Sequence, residues 1–129
     1  MDSCIFCKIA NGGIPSSKIW EDERHIAFLD INPVNPGHTL IIPKKHVDSV
    51  FDMDEKAYSD LFLAAKRLSG PLKEAMAAKR IGVIIEGFLV PHAHIHLVPI
   101  NSGSELYERA KKAAPEELSS VAERIRRQI

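Results

Sequence analysis

The chain has 129 residues, of which 17 are basic and 17 acidic, so its formal net charge at pH 7 is zero when histidine is counted as neutral. This length suits one domain, predicted over residues 1–129, and is large enough to bury a hydrophobic core. The balanced charge argues against a protein that wraps a nucleic acid, which is usually basic, but it leaves room for one small anionic ligand.

The apolar segments of the chain are all short. None approaches the roughly 20 residues that a membrane-spanning helix needs. The first four residues, Met1 to Cys4, lack the basic start and the apolar stretch of a signal peptide. We therefore expect no membrane partner and a cytoplasmic, thiol-reducing location.

The first half of the sequence predicts three strands. Residues 17–20 and 24–30 read as two short strands separated by the charged turn at 21–23. Residues 38–43 predict a third strand with a run of Ile and Leu. The segment 32–37 is dense in Pro, Asn and Gly, which marks a loop between the second and third strands.

A long amphipathic helix is predicted next. Asp52 and Glu55 have the spacing of a capping box, in which Asp52 would cap the helix. The apolar residues on the core-facing side recur with a helical period and are Ala57, Leu61, Ala64, Ala65, Leu68 and Leu72. Gly70-Pro71 interrupts this pattern, and a proline inside a helix costs about 3 kcal/mol or more. We therefore expect either a kink or a second helix that begins at Pro71.

The second half predicts two more strands and two C-terminal helices. The strands are expected at 80–86 and 93–100, as an antiparallel pair. The helices are expected at 104–112 and 116–128, the second starting at Pro115, a favoured first helical position. The predicted fold class is therefore α+β: an antiparallel β-sheet with one long central helix and a helical C-terminal tail.

Three histidines alternate in the last predicted strand: His92, His94 and His96. Alternate side chains of a strand point to one face, so the three imidazoles should share a surface. The residues expected to point into the core between and after them are Ala93, Ile95 and Leu97. Imidazole titrates near neutral pH, with an unperturbed pKa of about 6.5. Such a face can hold a metal, transfer a proton or attack phosphorus; the alternative is a polar face exposed to solvent.

The two cysteines, Cys4 and Cys7, form a CxxC motif near the start of the chain. One such pair can be half of a metal site, a redox pair or two buried apolar residues. A thioredoxin-like redox motif normally follows a strand, and no strand is predicted before Cys4. A tetrahedral zinc site needs four ligands, and histidines elsewhere in the chain could supply the other two.

The pattern His-φ-His-φ-His-φ-φ over residues 92–98, where φ is apolar, resembles the signature of the histidine triad (HIT) superfamily. Further segments are similar to small HIT proteins in the same order, namely residues 4–9, 14–15, 19–23, 27–31 and 36–46. The chain thus resembles a small single-domain HIT-like nucleotide hydrolase with an N-terminal CxxC. The resemblance implies the HIT-like fold over a core of about residues 4–100, a C-terminal helical extension over 101–129, and a homodimer with a continuous sheet.

The resemblance also implies a zinc site. Several HIT proteins with a CxxC opening bind zinc through both cysteines, the histidine that ends the Pro-Lys-x-His segment and the first histidine of the triad. In this chain the corresponding residues are Cys4, Cys7, His46 and His92. A closed Cys2His2 site would be structural rather than catalytic. The alternative is a zinc-free, reduced cysteine pair.

The resemblance further implies a reaction at a nucleoside 5′-phosphoryl group. His94 stands at the position of the family nucleophile, which forms a nucleotidyl-histidine intermediate that water then hydrolyses. His96 would bind the phosphate or protonate the leaving group. His38 resembles a fourth family histidine that approaches the phosphate, and could instead be a partly buried histidine bonded within the fold. The expected substrates are purine phosphoramidates and dinucleoside polyphosphates.

Nucleoside binding is expected at the first half of the sheet. Asp30 resembles the family acid that bonds the ribose hydroxyls, with capping of the following turn as the alternative. Ile31, Phe28, Ile9 and Phe6 could form the slot for the purine base. Core packing is the alternative for the last three.

One segment departs from the family pattern. Typical members place a glutamine and a Ser or Thr before the triad to hold the phosphate; here Phe88 and Leu89 occupy those positions, and Glu86 falls near a family asparagine. Losing one preorganised donor costs roughly 3 kcal/mol of transition-state stabilisation, unless Lys44 or backbone N–H groups compensate. This departure keeps open the alternative of a catalytically weak module that binds a nucleotide or a protein. Because alternating histidines bind zinc in other folds, a hydrolase whose triad histidines bind a catalytic metal is a further alternative.

Overall fold

The computed structural model describes residues 3–108 and 110–129. Their helices and strands are α1 (Ile5–Ala10), β1 (Lys18–Glu21), β2 (His25–Leu29), β3 (Thr39–Pro43), α2 (Glu55–Ala75), β4 (Arg80–Ile84), β5 (Ile95–Ile100) and α3 (Pro115–Gln128). Short 3-10 turns lie at Val50–Asp52 and Gly103–Tyr107. The predicted α+β class is confirmed, and every predicted strand agrees within two residues at each end. Among the helices of these two ranges, none is long and apolar enough to cross a membrane.

The five strands form one antiparallel sheet in the order β1-β2-β3-β5-β4. The predicted pairing of the last two strands is confirmed, since Ile84 of β4 lies opposite His96 of β5. On its other side His96 lies opposite Leu40 of β3. The sheet therefore places the end of β2 on one side of the triad strand and the β4–β5 connection on the other.

Alternation along the strands separates two hydrophobic clusters. In β2, Ala27 and Leu29 belong to the larger cluster, whereas Ile26 and Phe28 belong to the smaller one. The larger cluster also contains the buried residues of α2 and α3. The smaller cluster contains Phe6 of α1. The C-terminal helix therefore packs with α2 on one face of the sheet, and α1 covers the other.

The expected capping box at Asp52 and Glu55 is wrong. Asp52 lies in a 3-10 turn whose Val50 is 1% exposed. The N-cap of α2 is Asp54, whose Oδ1 accepts a 2.8 Å hydrogen bond from the Ala57 N–H. Because burial of Val50 holds the chain in the tight turn, the helix starts only after that turn.

The helix α2 continues through Pro71, so the alternative of a second helix that begins there is wrong. Proline in a helix interior removes one backbone hydrogen bond. The neighbouring Leu68 and Leu72 are 3% and 0% exposed, and fully burying such a side chain contributes roughly 1.5–3 kcal/mol. Packing against the sheet therefore offsets the proline.

The predicted helix over 104–112 is also wrong. Of its described residues only those in Gly103–Tyr107 are helical, as a 3-10 turn, and Arg109 lies outside the described residues. Further along, the Ala113 N–H donates a 2.9 Å hydrogen bond to the Ile31 carbonyl oxygen. The backbone here bonds to the loop after β2 instead of to itself, which a helical pattern in the sequence does not reveal.

Candidate active site and metal centre

The three triad histidines lie at and before the start of β5. Regular pairing begins at Ile95, so His92 and His94 precede the strand. The apolar residues between and after the histidines are at most 2% exposed and pack in the larger cluster, as predicted: Ala93, Ile95 and Leu97. On the opposite face, the ring centroid of Phe6 is 6.0 Å from that of His92 and 5.1 Å from that of His94. The triad therefore faces α1.

The ring of His94 is oriented by a backbone carbonyl. Its Nδ1 lies 2.6 Å from the His92 carbonyl oxygen, so Nδ1 carries the proton and donates this hydrogen bond. The lone pair of the neutral ring is then on Nε2, as a nucleophilic imidazole requires. The sequence has no signal for this partner, because it is a backbone atom.

His96 is held by a chain of hydrogen bonds that sets its tautomer. The Val34 N–H donates to His38 Nδ1 at 3.0 Å, so the neutral His38 ring carries its proton on Nε2. His38 Nε2 lies 2.9 Å from His96 Nδ1 and donates to it. The remaining proton of a neutral His96 is therefore on Nε2, where it is available as a donor.

Burial keeps both of these rings neutral. It lowers the pKa of His96 to about 4, assisted by His38 and His94, while Asp30 and Glu86 act in the opposite direction. Burial also lowers the pKa of His38, against the Asp30 carboxylate, whose Oδ2 is 3.6 Å from His38 Nε2. Near pH 7 the tautomers assigned by hydrogen bonding therefore hold.

His94 and His96 border a pocket of about 260 Å³ on the α1 side of the sheet. All of the residues predicted to bind the nucleoside line it: Phe6, Ile9, Phe28, Asp30 and Ile31. Phe6 and Phe28 pack edge to face at 5.5 Å and are also members of the smaller cluster. The two alternatives for these aromatic residues, core packing and pocket wall, are therefore compatible.

The residues that line the pocket differ in part from those that the sequence predicted. His38 is buried behind His96 and does not line the pocket, so it bonds within the fold. Leu40 and Val90 do line the pocket and were not predicted. Alternation in β3 could have indicated Leu40, whereas Val90 lies in an irregular connection that gives no periodic signal.

The segment before the triad exposes its two apolar residues. Phe88 and Leu89 are 90% and 92% exposed, and Leu89 lies at the pocket wall. The Phe88 N–H donates a 3.1 Å hydrogen bond to Glu86 Oε2. Lys44, the expected replacement cation, pairs with Glu21 and does not line this pocket.

The side chain of His92 belongs to a second group. The Nδ1 atoms of His46 and His92 and the Sγ atoms of Cys4 and Cys7 all lie within 4.8 Å of one another. Three sulfur–nitrogen distances among them are 3.3–3.4 Å. A tetrahedral zinc ion, with Zn–S of about 2.3 Å and Zn–N of about 2.0 Å, implies about 3.5 Å. The four residues predicted as zinc ligands therefore come together with suitable spacing.

The protonation of this group also fits a metal. His92 Nε2–H donates to the Pro43 carbonyl oxygen at 2.7 Å, which leaves the Nδ1 lone pair facing the sulfurs. Burial lowers the pKa of His92. Burial and the neighbouring Cys4 raise the pKa of the Cys7 thiol, so a bound cation would be needed to hold the Cys7 sulfur as a thiolate near neutral pH. The donor set fits zinc, and it separates His92 from His94 and His96.

Comparisons with known proteins identify the family of the chain. The family model described as HIT domain matches residues 11–103. The adenosine 5′-monophosphoramidase hnt1 of Schizosaccharomyces pombe is 33% identical over 133 residues, which cover 98% of this chain and 98% of that protein.

Solved structures show the same fold. A HIT-like protein from Bartonella henselae, described as involved in cell-cycle regulation, has a TM-score of 0.87 and 32% identity over 100% of this chain and 98% of that one. A zinc-bound histidine triad family protein from Mycobacterium smegmatis has a TM-score of 0.85 and 29% identity over 98% of this chain and 93% of that one. The family model spans well over half of the sequence, and the chain therefore belongs to the HIT family.

Proposed function

We propose that this protein is a nucleotide hydrolase of the HIT type that cleaves a bond at a nucleoside 5′-phosphoryl group through a nucleotidyl-histidine intermediate on His94. Membership of the family supports a HIT-type hydrolase. The observation that carries the finer proposal is the 2.6 Å contact between His94 Nδ1 and the His92 carbonyl oxygen. It leaves Nε2 unprotonated on a histidine that borders the pocket.

The proposed substrate is a purine nucleotide derivative, either a phosphoramidate or a dinucleoside polyphosphate. The named activity of the Schizosaccharomyces pombe relative supports the first of these. The base would lie against Phe6, Phe28 and Ile31, and Asp30 would accept hydrogen bonds from the ribose hydroxyls. This placement brings the 5′-phosphorus to His94 and His96 at the other wall of the same pocket.

The proposed reaction has two steps. When the anionic phosphoryl group binds, the buried His38–His96 pair takes up one proton from solvent and becomes a cation. The proton that faces the leaving atom is the one already on His96 Nε2, and the added proton leaves the pair neutral once the Nε2 proton has been given away. The His94 Nε2 lone pair bonds to phosphorus, the bond to the leaving atom breaks with its electron pair on that atom, and His96 gives it the proton. Water then bonds to phosphorus, the phosphorus–nitrogen pair returns to His94, and the water proton goes to His96.

Three further parts of the proposal concern the protein rather than the reaction. Cys4, Cys7, His46 and His92 would hold a structural zinc ion, which would tie α1 to the sheet and take no part in the chemistry. The protein would form a homodimer. It would act in the cytoplasm, where a reducing environment keeps both cysteines as the free thiols or thiolates that zinc binding requires.

The test is release of AMP from adenosine 5′-phosphoramidate by the native chain and by His94→Ala. We expect the variant to lose at least about 10³-fold in kcat, since removal of a nucleophile leaves only binding and electrostatic effects. His25→Gln is the matched control, because His25 lies outside both histidine groups, bonded to Asp22. It should retain turnover.

A covalent adduct supplies an independent readout. Rapid quenching with substrate should give native protein a mass increase of one adenylyl group, that is AMP less one water, absent from His94→Ala. Turnover that survives in His94→Ala would refute the nucleophile. Tight AMP binding without an adduct or turnover would select the alternative of a nucleotide-binding module, which the exposed Phe88 and Leu89 favour.

A further inference from the structure

The pocket has two ends with different chemistry. One end lies where α1 meets the end of β2 and contains Phe6 and Asp30; the other is formed by the β4–β5 connection and contains Glu86 and Leu89. Because the sheet order is β1-β2-β3-β5-β4, His96 on β5 stands between the two ends. A nucleotide whose base occupies the first end, with its phosphorus at the histidines, must direct its leaving group toward the second end.

The second end carries a negative charge and an apolar surface. A carboxylate oxygen of Glu86 lies within 4.8 Å of ring nitrogens of both His94 and His96. The Phe88 N–H holds Glu86 Oε2 at 3.1 Å, so the backbone of the connection orients this carboxylate. Leu89 adds an apolar side chain that is 92% exposed.

The pocket also lacks a compensating positive side chain. Among the described residues that line it, none is lysine or arginine, and the acidic ones are Asp30 and Glu86. Enzymes that release charged phosphates normally place cations where that charge develops. In place of a permanent cation, this pocket offers two carboxylates and imidazoles that are neutral before the substrate binds.

We infer that Glu86 and Leu89 select the leaving group, favouring an amine with an apolar body over a phosphate or a polyphosphate. A departing phosphate would bring negative charge next to the Glu86 carboxylate, and the two would repel. An amine avoids this repulsion, and its carbon atoms can cover Leu89. The inference rests on the proposed function and narrows its substrate class to nucleoside phosphoramidates of apolar amines.

The amine fits the proposed chemistry without a further reactant. The phosphorus–nitrogen bond breaks with its electron pair on nitrogen, and that nitrogen takes the proton of His96. The free amine then takes a proton from solvent to become an ammonium ion. Its charge is opposite to that of Glu86, so the carboxylate that repels a phosphate attracts the product of this reaction during its departure.

The test compares two substrates with the same nucleoside. Adenosine 5′-(2-phenylethyl)phosphoramidate releases an apolar amine, and diadenosine triphosphate releases ADP. In native protein we expect kcat/KM to favour the amine substrate by more than about tenfold, and Glu86→Gln to reduce that ratio by about tenfold, which corresponds to about 1.4 kcal/mol. Leu89→Ser should reduce the preference for phenylethylamine over ammonia by about threefold.

Two controls isolate the charge at this position. Glu74→Gln makes the same change of net charge on the exposed side of α2, away from the pocket, and should leave the ratio as in native protein. Raising the ionic strength should reduce the effect of Glu86→Gln, because salt screens charge repulsion. An equal ratio in native protein and Glu86→Gln, with turnover intact, would overturn this inference and leave the proposed function standing.

A binding measurement keeps the two proposals distinguishable if no turnover occurs. The additional phosphate of ADP would lie at the second end of the pocket, so the measurement compares the Kd of ADP with that of AMP. We expect AMP to bind more tightly than ADP in native protein, and Glu86→Gln to reduce the difference about tenfold. An unchanged ratio refutes selection by Glu86 whatever the catalytic result, and failure of both nucleotides to bind refutes both proposals.

Discussion

Removal of the proposed zinc should destabilise the protein by an amount that can be estimated. The perturbation is a strong chelator, applied to native protein and to the variant His46→Ala. The variant lacks one of the four proposed ligand atoms, the His46 Nδ1 that lies 3.3 Å from Cys7 Sγ. A ligand that binds only the folded state stabilises it by RT ln(1 + [L]/Kd). This amounts to about 2.7 kcal/mol when free zinc is about 100 times Kd.

The expected shift in melting temperature follows from the length of the chain. Unfolding entropy is about 2.1 cal/mol/K per residue, or about 270 cal/mol/K for 129 residues. A loss of about 2.7 kcal/mol therefore lowers Tm by about 10 °C. The assay is differential scanning calorimetry with and without chelator, together with elemental analysis of metal-replete protein.

The comparison between variants separates the metal from the side chain. In chelator, native protein and His46→Ala should differ only by the packing of His46, because neither then holds zinc. Without chelator, native protein should gain the full shift and His46→Ala little of it, while His25→Gln should respond as native protein does. Less than about a tenth of an equivalent of zinc in native protein, or equal chelator shifts in native protein and His46→Ala, would refute a zinc site made of these four residues.

Three other predictions concern His96, Gly37 and the oligomeric state. Because burial lowers the pKa of His96 to about 4, the unfolded state binds more protons than the folded state between about pH 4 and 6.5. The free energy of unfolding should therefore fall by about 1 kcal/mol from pH 7 to pH 5, and by less in His96→Asn. Urea titrations at both pH values measure this difference. Gly37 has φ of +90° and an added Cβ would lie 2.6 Å from Met76 Cγ, so Gly37→Ala should lower stability by about 2–3 kcal/mol, whereas Gly103→Ala, which meets nothing within 4 Å, should change it little. Sedimentation equilibrium should give the mass of two chains; a mass of one chain would refute the homodimer.

The sequence predicted the parts of the fold that depend on side-chain periodicity. Alternation predicted that Ala93, Ile95 and Leu97 are buried, and short apolar segments bounded by turn residues predicted all five strands within two residues at each end. Tertiary contacts decided the parts that went wrong. Burial of Val50 moved the start of α2, and the hydrogen bond from Ala113 to the loop after β2 replaced a predicted helix.

The candidate site likewise has parts that could be predicted from the sequence and parts that could not. The resemblance to HIT proteins predicted which side chains would meet, and the structure brings together both the four residues predicted to bind zinc and the residues predicted to line the pocket. The sequence could not predict the atoms that decide which ring nitrogen of each histidine carries the proton, because these atoms belong to the backbone. They are the carbonyl oxygens of His92 and Pro43 and the N–H of Val34. Glu86 is an intermediate case, since the sequence placed an acid near the triad but could not give its distance from His94.

His92 joins the proposed zinc site to the proposed nucleophile, His94, through a single residue. Its Nδ1 faces the cysteines, its Nε2–H is held by Pro43, and its carbonyl oxygen accepts the hydrogen bond that orients His94. A ligand that fixes the His92 ring also limits rotation of the backbone that carries this carbonyl. A zinc ion without any direct role in the reaction would thereby help to keep the lone pair of His94 on Nε2. Loss of zinc should then lower kcat, through misorientation of His94, more than it weakens binding of AMP at Asp30 and the aromatic wall.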